Sequence, residues 1–291
     1  MGSYAEFESD WEYAMDKQIQ IPIYLDFESM ITTGTNSPYE NQVLHFYPEV
    51  CSQEKDAFTL KLPLYPKNIE ELKIVRYWLE QIGRCDFGYL EFNNFIFNPE
   101  MIKMLFDNDE IAKFKFNCEE VRLCFLYINI DVWNFTFEHL VVSGSLRIAF
   151  SHGRIVFPYR DKQKIEVEGN NYLLKLLLNV GDRINRIVFQ CEMNQNQIPL
   201  YNNIIDYIET STDLSKMVAN IEFSLSLDWP CSKLTARGVE MSENNDSKKC
   251  YKITNIHNPK MKILIEWYFD TFKRDIIEYI SIICSVNSQK Y

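Results

Sequence analysis

The stretch Phe87-Gly88-Tyr89-Leu90-Glu91-Phe92 decides how the rest of this chain is read. Leu90 and Phe92 stand two apart, the spacing a β-strand needs to bury one face. Phe87, three positions earlier, packs the turn that enters the strand. The same apolar-x-x-apolar-x-apolar spacing returns at Ile111/Phe114/Phe116, Phe137/Leu140/Val142, Ile184/Ile187/Phe189 and Val218/Ile221/Phe223. A degraded copy at Lys162/Ile165/Val167 divides the widest gap. Recurrence at steps of roughly 20–29 residues is the sequence mark of leucine-rich-repeat-like βα arrays. The spacing therefore predicts an α/β fold, an irregular leucine-rich-repeat-like βα solenoid. A single βα unit leaves its apolar face bare, and about three or more stacked copies are needed to cover it.

The segments between copies carry helix signals. Asn68 is a capping residue, Glu71 follows three positions later, and Gly83 stands past the last apolar position; Ile69, Leu72, Val75, Leu79 and Ile82 line one side. Asn98-Pro99-Glu100 opens a second helix. Proline lacks an N–H that would be unsatisfied there anyway, and the acid suits the positive end of the helix dipole. Further helices are predicted over 171–180 and 200–209.

Outside the array the pattern changes. Ile19, Ile21, Ile23, Leu25 and Phe27 alternate as a strand, with Pro22 marking an edge position. Residues 30–56 read as a loop, and Phe58, Leu60, Leu62 and Leu64 as another strand. Asp228-Trp229-Pro230 stops the repeats; strands follow at 251–256 and 263–269, joined by a turn at His257-Asn258-Pro259-Lys260. Residues 272–284 suit helix and strand equally. The expected organisation is an N-terminal helix and β region (1–66), the βα-repeat region (67–227) and a C-terminal β region (228–291).

Composition narrows the function classes. The chain of 291 residues is 46% apolar, with 20 Phe and 17 Tyr, ample material for a core. A net charge of −11 argues against a nucleic-acid backbone as partner, though a local basic stripe is compatible with it. No run of about 18 apolar residues suggests a membrane span. The acidic start, Met1 to Met15, does not read as a secretory signal. The eight cysteines are scattered without a C-x-x-C pair and read as reduced, buried thiols of a cytoplasmic or nuclear protein.

Several stretches together resemble a known family. They are Leu62-Pro63-Leu64-Tyr65-Pro66-Lys67-Asn68-Ile69-Glu70-Glu71, Tyr77-Trp78-Leu79-Glu80-Gln81, Phe97-Asn98-Pro99-Glu100-Met101-Ile102, Tyr207-Ile208-Glu209-Thr210-Ser211 and Ile253-Thr254-Asn255-Ile256-His257-Asn258-Pro259-Lys260. They resemble the C-terminal, substrate-recognition region of F-box-type proteins from plant-parasitic nematodes, over about residues 11–269. Trp11 to Lys17 resembles the stretch that in the family follows the F-box. Almost nothing precedes it here, so the F-box that docks the Skp1-type adaptor of a ubiquitin ligase is expected to be missing. The resemblance implies the client-binding half of such an adaptor, and it brings no catalytic residues.

Catalytic signals are sparse. His45, His139, His152 and His257 form no His-x-x-x-His pair, and no histidine has ligand spacing to Cys118 or Cys124. Asp107-Asn108-Asp109-Glu110 fails as a calcium loop because Ala112 stands where glycine is required. There is no G-x-S-x-G elbow and no glycine-rich phosphate loop. We expect no enzyme, no metal and no cofactor. The positive candidate is a surface. Residues flanking each buried pair point to the other side of the strand: Tyr89, Glu91 and Asn93; Lys113, Lys115 and Asn117; His139, Val141 and Ser143; Lys164, Glu166 and Glu168; Arg186, Val188 and Gln190; Asn220, Glu222 and Ser224. Stacking sets these columns side by side. The partner-binding positions expected from them are Tyr89, Glu91, Lys113, Lys115, His139, Val141, Arg186, Val188 and Glu222, facing a client protein. Two alternatives remain open: a hydrolase or transferase in which His139 or His152 meets a carboxylate in a pocket, and a secreted effector derived from the family.

Overall fold

The computed structural model describes residues 24–26, 43–46, 58–63, 65–93, 95–106, 114–125, 130–150, 159–191, 198–225, 239–241, 248–258, 262–269 and 277–284. In chain order the strands are β1 (Tyr24–Asp26), β2 (Val43–Phe46), β3 (Phe58–Lys61), β4 (Asp86–Asn93), β5 (Phe95–Phe97), β6 (Phe116–Phe125), β7 (Leu140–Phe150), β8 (Ile184–Cys191), β9 (Asn220–Leu225), β10 (Val239–Met241), β11 (Lys248–Thr254), β12 (Lys262–Phe269) and β13 (Ile277–Cys284). The helices are α1 (Ile69–Ile82), α2 (Pro99–Leu105), α3 (Ile130–His139), α4 (Tyr159–Asn179) and α5 (Ile198–Thr210).

One open mixed sheet of nine strands dominates, in the order β10-β11-β12-β13-β9-β8-β7-β6-β4. Strands β4, β6, β7, β8 and β9 run parallel, each beside its predecessor, and those from β7 onward are joined to it by α3, α4 or α5. Helices α2, α3, α4 and α5 pack on one another in that same succession, so they form a single layer. The C-terminal strands continue the sheet without a break, because β13 pairs antiparallel with β9. The regions expected at 67–227 and 228–291 thus share one sheet. Small antiparallel pairs, β1 with β5 and β2 with β3, lie apart from it.

Local signals explain the elements. Asn68 accepts from the Glu71 backbone N–H at 2.9 Å, and the Glu71 carboxylate accepts from the Lys67 N–H at 2.7 Å, closing the first turn of α1. Asn98 accepts from the Glu100 N–H at 3.0 Å at the start of α2. Gly83, past the last turn of α1, does not adopt a left-handed conformation. Its φ is −65°, and a Cβ there would lie 2.9 Å from the Phe114 ring, so close packing is what demands glycine.

The register turns the repeated spacing into rows. Phe87, Cys118, Val142 and Ile184 form one; Leu90, Val121, Leu146, Ile187 and Ile221 the next; Phe92, Leu123, Ile148, Phe189 and Phe223 a third. From the first row to the second, β7 holds one residue more than its neighbours. It accommodates it as a bulge at Ser143-Gly144, where a Cβ on Gly144 would approach the Glu119 carbonyl oxygen to 2.7 Å.

Three expectations are corrected and one open reading is resolved. The copies at Ile111/Phe114/Phe116 and Phe137/Leu140/Val142 are out of register with the others and with each other, since Phe116 pairs with Leu140 and Val142 with Ile184. Phe114, Phe116 and Leu140 are buried at the strand entrances, so apolarity alone does not distinguish an entrance from the strand proper. The degraded copy at Lys162/Ile165/Val167 is helical, inside α4. Its charged residues are helix formers, and Leu173, Leu176 and Leu177 continue a helical burial pattern. Within the expected loop 30–56 lies β2. Residues 277–284 resolve as strand, because β9 and β12 offer edges on both sides.

Candidate functional site

The side of the sheet away from the rows of Leu, Ile and Phe carries polar side chains in register. One row reads Tyr89, Glu120, Ser145, Arg186, Asn220. The next reads Glu91, Arg122, Arg147, Val188, Glu222, Ser281, Glu266. These positions face away from the core because alternate residues of a strand point to opposite sides.

Three sets of tyrosine, carboxylate and cation recur across this face. At one edge the Tyr89 hydroxyl donates to Glu91 at 2.8 Å, and Glu91 lies 3.8 Å from the Arg122 guanidinium. Burial first, then the Glu91 bond and charge, push the Tyr89 phenol up to about 12. In the centre Arg186 donates to Glu222 at 2.7 Å, beside Tyr279, whose phenol is raised by burial and by its bond to Glu222. On the antiparallel side the Tyr268 hydroxyl donates to Glu266 at 2.7 Å, and Lys248 pairs with the same carboxylate at 2.8 Å. Burial pushes the Glu266 carboxyl up, but the bonds from Lys248 and Tyr268 outweigh it and hold the group below its ordinary range. The Tyr268 and Tyr279 rings meet edge to face at 5.3 Å. A phenol tied to a paired carboxylate stays protonated and fixed, presenting its ring as a preset contact area.

Of the expected binding positions, Tyr89, Glu91, Arg186, Val188 and Glu222 do lie on this face. Val188 and Glu222 are buried at its centre, at 4% and 7% exposure, while Tyr89 is 50% exposed. Lys113 lies outside the described residues. Lys115 and His139 are not on the face. Lys115 donates to the Glu138 carbonyl at the end of α3. His139 is the last residue of α3 and is 1% exposed. Val141 is half-buried beside a shallow depression of about 420 Å³ that Asp86, Gly88, Asn117, Glu119 and Ser143 also line. Lys164, Glu166 and Glu168 belong to α4. The residues that occupy the corresponding places are Glu120, Arg122, Ser145 and Arg147. Reading Cys118/Val121/Leu123 as the copy in this strand, with cysteine admitted as apolar, would have exposed Glu120 and Arg122.

His139 does not have the surroundings of a general base. Its Nδ1–H donates to the Phe114 carbonyl at 3.2 Å, and its ring packs against Phe114 and Phe135. The Glu138 carboxylate stands 3.9 Å from Nε2, beyond hydrogen-bond length, and that nitrogen is buried without a partner. His152 lies outside the described residues. Burial, with lesser contributions from Lys115 and Lys103, holds the His139 imidazole below its ordinary value, against the opposing pull of Phe114 and Glu138. The unfolded chain therefore binds a proton that the folded chain refuses. Stability is full above about pH 6.5 and falls as pH drops below it. Urea midpoints should decline between about pH 7.5 and 5.5, and His139→Phe should flatten that decline; equal slopes in both proteins would refute it.

Cys118 and Cys284 are pushed up to about 12, Cys284 by burial alone and Cys118 by burial and then Asp86. Such thiols are inert as nucleophiles. Cys85, Cys118, Cys124, Cys250 and Cys284 form no disulfide. Among the described residues no group of His, Cys, Asp and Glu could hold a metal ion, and no helix is long and apolar enough to cross a membrane.

Comparison with known proteins finds no match among curated proteins and no match among solved structures. Residues 4–151 match a family described as a domain of unknown function, DUF8381, and this match spans β1 to β7. With half of its length covered, the chain belongs to the DUF8381 family.

Proposed function

We propose that this protein is a non-enzymatic protein-recognition module, built as an irregular leucine-rich-repeat-like βα solenoid and akin to the client-binding half of an F-box adaptor. The observation that supports this reading is the in-register polar face, where Tyr89, Arg122, Arg147, Arg186, Tyr268 and Tyr279 stand on adjacent strands of one sheet. Tyrosine and arginine dominate the energetics of protein interfaces. Here the Tyr89, Tyr268 and Tyr279 hydroxyls and the Arg186 guanidinium are already tied to carboxylates, so less side-chain freedom is lost on binding. Parallel strands stacked one beside the next make a surface long enough for a folded or extended client.

The test compares three forms of the protein as bait: wild type, the face variant Tyr89→Ala with Arg186→Gln, and the helix control Ile74→Glu. Arg186→Gln keeps a hydrogen-bond donor for Glu222. A client captured by wild type and control should be lost by the face variant, with its purified Kd weakened about tenfold or more, roughly 1.4 kcal/mol. A client that binds all three equally would place recognition elsewhere.

A further inference from the structure

Arg122 and Arg147 are register partners on β6 and β7. Neighbouring strands lie about 4.8 Å apart, so two guanidinium-bearing side chains leave adjacent backbones on the same face. Like charges directly opposite on a sheet cost stability. Arg122 meets Glu91 at 3.8 Å and Arg147 meets Glu120 at 3.5 Å. Arg147 makes a single long contact, Arg122 adds a bond with the Tyr89 hydroxyl, and neither guanidinium fork is closed by a bidentate carboxylate. Ser145 donates to the same Glu120 oxygen at 3.4 Å and competes for it. The Arg122 Nε is sealed from solvent without a hydrogen-bond partner. Yet the two side chains keep 41% and 31% of their surface exposed.

The geometry points to a two-arginine clamp that takes a side-chain carboxylate from an acidic segment of a protein partner. This rests on the recognition reading above and names the chemistry it uses. An incoming carboxylate that bridges the guanidinium groups supplies short, bidentate, charge-assisted bonds in place of the long contacts to Glu91 and Glu120. It also relieves the repulsion between the two arginines. Glu91 and Glu120 make the cluster formally neutral, so recognition works at contact rather than through a long-range field. They also disfavour a dianionic phosphate, whose second charge would face both acids at close range.

The experiment titrates the full chain, with ¹⁵N-labelled arginine, against three capped peptides: tetraglutamate, tetraglutamine and tetraphosphoserine. The probe is the Nε–Hε resonance of each arginine. Tetraglutamate should shift the Arg122 and Arg147 signals saturably, and tetraglutamine should not. Raising salt from about 0.05 to 0.5 M should weaken the effect. Arg122→Lys with Arg147→Lys retains both charges but removes the forks, and it should lower affinity about tenfold. That variant guards against a mere loss of folding, which its melting transition reports. The clamp is overturned if tetraglutamate shifts neither resonance, if the lysine variant binds it undiminished, or if tetraphosphoserine binds more tightly. Loss of clients by the Tyr89/Arg186 variant alongside a failed titration would overturn the clamp and leave the recognition face standing.

Discussion

Phe116→Ala should lower the unfolding free energy by about 3–5 kcal/mol, as a large cavity in a packed core does. Phe116 is 1% exposed at the start of β6 and joins three elements through its ring. Phe97 of β5 stacks on it at 5.4 Å; Phe92 of β4 and Phe114 approach edge to face, and Phe135 of α3 tilts against it at 5.8 Å. Truncation removes partners from four rings at once, and rings held by strands on one side and a helix on the other have little room to collapse. Phe116→Leu refills most of the volume and should cost about half as much. Chemical denaturation supplies the measurement, with Ile74→Ala as the control, since Ile74 is 52% exposed. A loss no larger than the control's would mean that this aromatic cluster does not organise the sheet.

Asn255→Ala should be nearly as damaging, at about 3–4 kcal/mol, although no apolar volume of note is lost. Asn255 is 1% exposed just past β11. Its Nδ2 donates to the Ile208 carbonyl at 2.7 Å and the Ser211 carbonyl at 2.8 Å, at the C-terminal end of α5. Its Oδ1 accepts from the His257 and Asn258 N–H groups at 2.8 and 2.9 Å. One amide therefore ties the turn after β11 to the helix that precedes β9, and Ile256 N–H donates to the Glu209 carbonyl alongside it at 3.0 Å. Removing the side chain strands the buried Ile208 carbonyl, at about 1–3 kcal/mol, and loses three part-buried bonds at about 0.5–1.5 kcal/mol each. Asn255→Asp separates the two halves of the clasp. It keeps the acceptor but turns a carboxylate toward two carbonyl oxygens, so it should be as unstable as Ala at neutral pH. It should recover partly in acid, where the protonated carboxyl donates again. Denaturation of both variants at two pH values checks this; an Asp variant as stable as wild type at neutral pH would show that the two donated bonds contribute little.

Asn255 also marks where sequence reading stops. His257 to Lys260 reads as a turn in sequence and Asn255 as part of the preceding strand, but that strand stops at Thr254 and the chain bends at residues 256–257. That the asparagine amide reaches α5, more than forty positions earlier, depends on β13 inserting beside β9 and carrying β12 and β11 with it. No local pattern encodes that insertion. The same contrast holds on the polar face of the sheet. Tyr89, Glu91, Arg186, Val188 and Glu222 were legible because β4, β8 and β9 each start their apolar spacing at the row that pairs across the sheet. Lys115, His139 and Val141 were misplaced because β6 and β7 bury additional apolar residues, Phe116 and Leu140, one level earlier. A spacing rule latches onto whichever triplet comes first, and each shift moves every outward residue with it.

The alternation of strand and helix, the parallel βα succession and the caps of α1 and α2 are written into the chain, since each depends on side chains within a few positions of one another. The register that sets Arg122 beside Arg147, the bulge at Gly144, the burial of His139 and the joining of the C-terminal strands to the repeat region belong to the tertiary structure alone. They are settled by which distant strand edges and aromatic rings meet, and short-range spacing carries no record of that choice.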